Sequence, residues 1–121
     1  LSICVLPLTS CAAESPAKPK QVKVEQAEKL IADGVQILDV RTPEEWRQGY
    51  IKDAKRITVT EEGFLAKAKQ ELDVKKPVLV YCRSGGRSVR ATQQLREAGF
   101  TVHDLAGGVI AWEKAGKPLV K

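Results

Sequence analysis

Two hydrophobic patterns alternate along this chain, short unbroken apolar runs and one-sided stripes at helical spacing. Residues 21–24 predict a short opening strand, after which Val24, Ala27, Leu30 and Ile31 recur at helical spacing until Gly34 stops the helix. Residues 35–40, Val-Gln-Ile-Leu-Asp-Val, predict a buried strand running into Arg41. Thr42-Pro43-Glu44-Glu45 then opens a short helix ending near Gly49: Thr caps it, Pro takes the first helical position and Glu45 can close a capping box. Residues 57–59 predict the next strand, and Phe64, Leu65, Ala68 and Leu72 form the stripe of a helix terminated by residues 73–77. Val78–Tyr81 is four apolar or aromatic residues in a row, a strand buried on both faces. Ala91, Leu95 and Ala98 mark the core face of a helix stopped by Gly99. Residues 100–105 predict a last strand, and Gly107-Gly108 leads into a closing helix over 109–114 anchored by Trp112.

Five strands alternating with helices, without an Asn-Gly or Asp-Gly hairpin signal, predict an α/β fold. The expected form is a three-layer sandwich, a mostly parallel central sheet of about five strands with helices on both faces. Ligands in such folds bind beyond the carboxyl ends of the strands. Two of those ends carry polar residues of interest, 39–41 and Cys82 with the segment after it. No internal repeat is visible.

Composition narrows the function classes. A chain of 121 residues with 43% hydrophobic and 29% charged residues suits one globular domain rather than a disordered segment. The net charge of +5 is scattered, and aromatic residues make up only 5%, so nucleic acid is not an expected partner. Small anions are the better expectation, steered towards a basic loop. Residues 1–11, Leu-Ser-Ile-Cys-Val-Leu-Pro-Leu-Thr-Ser-Cys, carry no charge and are too short to span a bilayer. They read as part of a secretory signal. Leu8-Thr9-Ser10-Cys11 resembles the lipobox of bacterial lipoproteins, in which cleavage precedes the cysteine and that cysteine is lipidated. The expected division is a signal-peptide remnant over 1–10, a Pro-containing tether over 11–21 and a folded domain over 22–121. On this reading the protein lies in a bacterial cell envelope, on the periplasmic side, touching membrane only through a lipid on Cys11. The plainer alternative makes residues 1–8 a strand packed on the domain.

Three cysteines, Cys4, Cys11 and Cys82, do not make a disulfide scaffold. With Cys4 removed and Cys11 lipidated, Cys82 is the only thiol left, and an unpaired thiol in an oxidising compartment is a liability unless its reactivity is used. Cys82 lies between the end of a buried strand and Arg-Ser-Gly-Gly-Arg-Ser, a Gly-containing turn that opens a helix. Such a turn points backbone N–H groups and the positive helix end at one spot, so the nucleophilic thiolate is favoured there.

Three blocks now stand together: Leu38-Asp39-Val40-Arg41-Thr42-Pro43-Glu44-Glu45-Trp46, then Cys82-Arg83-Ser84-Gly85-Gly86-Arg87-Ser88, then Leu105-Ala106-Gly107-Gly108 with Trp112. In order and spacing they resemble a single-domain rhodanese from about Val22 to the C-terminus. One departure is Gly49-Tyr50-Ile51-Lys52-Asp53-Ala54, where the family often has Gly-His-Ile-Pro-Gly-Ala. The resemblance implies a sulfurtransferase that moves sulfane sulfur from thiosulfate or a related anionic donor to cyanide or a thiol through a persulfide on Cys82. It implies no metal and no organic cofactor. Loop N–H groups from Arg83, Ser84, Gly85, Gly86, Arg87 and Ser88 are expected to bind substrate and stabilise charge on sulfur. Asp39, Arg41 and Glu45 are expected to support the site. A monomer is expected.

Each role has a plainer counterpart. Arg83 either attracts the anionic donor or is a solvated loop charge. Arg87 either binds anion or braces the loop against Asp39 or Glu45, and bracing is favoured. His103 reads as a strand residue, and Trp46 and Trp112 as core or pocket wall. Two other functions compete with the enzyme. A persulfide carrier or interaction module needs the same thiolate. Cysteine-based phosphatases also use a Cys-to-Arg loop, but their Arg falls at the position of Ser88; Arg87 comes one residue early, the shorter loop suits sulfur, and no general acid is evident.

Overall fold

The computed structural model describes residues 21–121, so the signal remnant, most of the tether and Cys11 lie outside the described residues. The elements are β1 Gln21–Val22, α1 Val24–Ala32, β2 Gln36–Asp39, α2 Pro43–Trp46, β3 Lys55–Arg56, α3 Phe64–Glu71, β4 Val78–Tyr81, α4 Gly86–Glu97, β5 Val102–Leu105 and α5 Gly108–Lys114. All five strands pair in parallel, in the order β1-β5-β4-β2-β3. The expected α/β sandwich is present, with an entirely parallel sheet.

Two apolar layers cover the sheet. Leu38, Val40, Val78, Val80 and Val102 pack against Phe64, Ala68 and Leu72 of the α3 region and against Ala91 and Leu95 of α4. Ile37, Leu79, Tyr81 and Leu105 point the other way, to Ala27 of α1 and to Val109 and Trp112 of α5. Adjacent residues of one strand thus serve opposite cores, which is why β2 and β4 read as continuous apolar runs. β4 is the middle strand, and all four of its residues are buried.

Of the boundaries that differ from the sequence reading, three change which residues an element holds near the sheet ends. β1 ends at Val22 and takes in Gln21, which the division above assigned to the tether, and Val24 already opens α1. The third strand is Lys55–Arg56, both exposed, not 57–59. Ile57 and Val59 still donate to the Asp39 and Val40 carbonyls, at 3.0 and 3.1 Å, so these two apolar residues mark burial beside β2 rather than regular pairing. α4 begins at Gly86, placing Arg87 and Ser88 in its first turn and shortening the loop after Cys82.

The strand order creates the crevice. From β2 the chain passes through α2 to Tyr50 and Ile51, which pack on the α1 and α5 face, whereas β4 feeds α4 on the opposite face. The loops leaving these two adjacent strand ends therefore diverge, as at the switch point of open parallel sheets.

Candidate active site

Cys82 follows β4 directly, so the central strand fixes its Cα. The residue is 1% exposed. Its Sγ accepts the N–H groups of Gly85 at 3.1 Å and Ser88 at 3.3 Å. Gly85 has φ +121°, a conformation side chains resist, and this turns the chain so that α4 starts one residue later with its N-terminus beside the sulfur. Ser88 is buried, and its hydroxyl donates to the Gly85 carbonyl at 3.3 Å. Arg83, Ser84 and Gly86 are exposed around the mouth, while Gly85 and Arg87 are half-buried. The segment 82–88 is therefore one unit, a sulfur at its floor and cationic and polar groups at its rim.

A second element holds this loop from behind. The N–H groups of Val109 and Ile110, in the first turn of α5, donate to the Cys82 and Arg83 carbonyls at 2.9 and 3.1 Å. Gly108, at φ +57°, makes the approach feasible, since a Cβ there would collide with both carbonyls. From sequence, Gly107-Gly108 leads into a closing helix and belongs to the third family-like block, with no contact to Cys82 expected. The dipeptide after a strand was the available signal, but its partner lies 26 residues away in sequence, at Cys82.

Arg87 braces. Its Nη1 and Nη2 donate to Glu45 Oε1 and Oε2 at 2.8 and 2.9 Å, tying α4 to α2. The same Glu45 carboxylate accepts from the Thr42 N–H and hydroxyl, closing the capping box. Arg87, chiefly through these hydrogen bonds, holds the Glu45 carboxyl down at about 2. The Arg87 guanidinium is raised, mainly by Glu45 with smaller contributions from Cys82 and Asp39.

Asp39 and Arg41 form a separate, closed unit. Both are buried, with Arg41 Nε and Nη2 on the Asp39 carboxylate at 2.8–3.1 Å. Nη2 also donates to the Gly49 carbonyl at 2.7 Å, and the Arg41 carbonyl accepts the Thr58 hydroxyl at 2.7 Å. These bonds fasten the turn after α2 to the end of β2; among the described residues they do not reach the Cys82 loop. Tyr81 completes the anchorage, its phenol oxygen accepting the Ile51 N–H at 2.9 Å. A cleft of about 680 Å³ is lined by Trp46, Tyr50, Lys55 and Arg56, and Cys82 is not on its wall.

Residues 23–115 match the family described as Rhodanese-like domain. The chain belongs to that family. It is 39% identical over 116 residues to thiosulfate sulfurtransferase 16, chloroplastic, of Arabidopsis thaliana, covering 88% of this chain and 97% of the relative. A sulfurtransferase of Allochromatium vinosum is 35% identical over 103 residues, covering 83% and 94%. Among solved structures, a rhodanese-related protein from Thermoplasma volcanium superposes with a TM-score of 0.74 at 29% identity, covering 84% of this chain and 97% of that one. Within this rhodanese-like domain, the departing segment 49–54 has a visible consequence. Asp53, at the family's Gly position, has φ +70° and is the one non-glycine residue with positive φ among the described residues.

Proposed function

We propose that the protein is a sulfurtransferase that carries sulfane sulfur as a persulfide on Cys82. The observation that supports this most is the Cys82 sulfur, buried at the head of α4 under two backbone N–H donors and, among the described residues, with no side chain hydrogen-bonded to it. The thiolate attacks the outer sulfur of thiosulfate. A bond forms between the two sulfurs, the donor's S–S bond breaks, and its electron pair leaves with sulfite. The terminal sulfur of the persulfide then carries the negative charge, which the Gly85 and Ser88 N–H groups and the helix end stabilise. Cyanide or a thiol attacks that terminal sulfur, and the bond pair returns to Sγ as thiolate. Arg83, exposed at the rim, attracts the anionic donor.

A phosphatase fits less well, because both guanidinium branches of Arg87 are engaged by Glu45 and are not offered to a phosphate. The exported form belongs to the same proposal: Cys11 carries a lipid and the domain faces the periplasm, which detergent partitioning of the full chain against Cys11→Ser tests.

Steady-state kinetics with thiosulfate and cyanide test the catalytic reading. Parallel double-reciprocal lines and sulfite release matched to thiocyanate are expected. A stable persulfide without turnover would make the protein a carrier instead.

A further inference from the structure

The cleft of about 680 Å³ at the β3 edge of the sheet takes no part in the chemistry above. Trp46 of α2, the turn over residues 50–54, β3 itself and Glu71 at the end of α3 contribute its walls. Its size is that of a site for a small organic molecule and exceeds the need of a bare inorganic ion. Lys52, Lys55 and Arg56 line it together with Asp53 and Glu71, and none of these five is in a salt bridge among the described residues.

Two parts of the wall are set by the fold. The first is Arg56. The Tyr50 N–H donates to the Val120 carbonyl and the Tyr50 carbonyl accepts the Val120 N–H, both at 2.8 Å, and the Arg56 guanidinium carbon lies over the Tyr50 ring, 4.2 Å from its centre. That contact holds the cation in place without consuming its N–H donors. The second is Asp53. Its turn closes through the Ala54 N–H on the Ile51 carbonyl at 3.0 Å, and Asp53 takes φ +70° within it. Glycine meets that backbone requirement without a side chain, so the turn accounts for the conformation but not for the carboxylate.

A bare anion in this cleft gains from the three cations and is repelled by the two carboxylates. A molecule that keeps its negative charge apart from its donors satisfies both: a dianionic group for Lys52, Lys55 and Arg56, and hydroxyl groups for Asp53 and Glu71. Three cations suit a phosphate better than a single carboxylate, and Trp46 supplies an aromatic wall for the carbon skeleton. We propose that the cleft is a binding site for a phosphate ester of a hydroxylated carbon skeleton, a sugar phosphate or a nucleotide, with the phosphate on Lys52, Lys55 and Arg56 and a hydroxyl donating to Asp53. The site is separate from Cys82 and independent of the sulfur-transfer reading. α2 serves both places: Glu45 is tied to Arg87 of the sulfur loop, and the next residue, Trp46, lines the cleft.

Isothermal titration calorimetry of the full chain with ribose phosphate, AMP, inorganic phosphate, ribose and L-glutamate tests the assignment. Both esters should bind at least about tenfold tighter than inorganic phosphate, ribose or L-glutamate. AMP tighter than ribose phosphate identifies the nucleotide, equal affinity the sugar phosphate, and either result supports the site. No binding of either ester at millimolar concentration overturns it, as does inorganic phosphate or L-glutamate binding equally well. Arg56→Gln should weaken both esters about tenfold. Asp53→Gly preserves the backbone conformation, and it should weaken the esters while strengthening inorganic phosphate; tighter binding of the esters in this variant contradicts the role given to the carboxylate. Arg83→Gln, at the mouth of the Cys82 loop, should leave ester binding unchanged, and loss of binding there puts the ligand at Cys82 and rejects the cleft. An unchanged rate of Cys82 alkylation in Arg56→Gln and Asp53→Gly establishes that both are folded. Sulfur loading decides none of these outcomes, so the cleft and the sulfur-transfer reading stand or fall separately.

Discussion

β2 and β4 lie side by side and both end in polar residues, yet the two ends behave oppositely. At the end of β2, Arg41 Nε and Nη2 pair with the Asp39 carboxylate, and Nη2 also donates to the Gly49 carbonyl. That end is closed: its charges are buried and matched, and it fastens the chain. At the end of β4, the donors are backbone N–H groups converging on one sulfur, with an exposed rim above it. Side chains that saturate each other build structure, whereas backbone donors focused on a single reactive atom leave capacity for a charge that arrives during reaction.

The contrast is breakable by substitution. Asp39→Ala leaves Arg41 buried without its carboxylate, and a loss of about 3–5 kcal/mol in stability is expected. Denaturant unfolding measures it, and below the transition the rate of Cys82 alkylation should stay near wild type; equal loss of both would mean that the two strand ends are one unit. Gly108→Ala acts the other way. The added Cβ meets the Cys82 and Arg83 carbonyls and forces them off α5, so sulfur transfer should fall about a hundredfold. Wild-type turnover in this variant would remove α5 from the account of the loop.

The smallest effect belongs to the bridge between the two regions. Because the Glu45 carboxyl is held down at about 2 from an ordinary 4.5, its pairing with Arg87 stabilises the fold fully above pH 4.5 and is lost as pH falls towards 2. Thermal unfolding followed over that window should drop more steeply in wild type than in Glu45→Gln. The difference should be at most about 1 kcal/mol, since the pair is partly exposed. Identical slopes would show that the bridge contributes nothing.

Local chemistry made the first half of this contrast legible in the sequence. The capping box on Thr42 and Glu45, the strand at Val78–Tyr81 and the cysteine at its end are short-range patterns, and the structure reproduces their geometry. Pairing partners were less visible. The edge strand sits at Lys55–Arg56 because an edge needs only one side paired, so its apolar neighbours Ile57 and Val59 gave a misleading signal. The Gly108 contact with Cys82 depends on tertiary approach between distant segments, and no periodicity encodes it. Arg87 shows the intermediate case: a bracing partner was expected, and only the fold selects Glu45 over Asp39.

The central claim is that the sulfur at the end of β4 is the atom that carries the transferred sulfur. Intact mass after exposure to thiosulfate, compared between wild type and Cys82→Ser, tests it most directly. Wild type should gain one sulfur atom, lose it on addition of cyanide, and the Ser variant should gain none. A wild-type protein that stays unmodified, or a Ser variant that gains sulfur equally, would contradict the account.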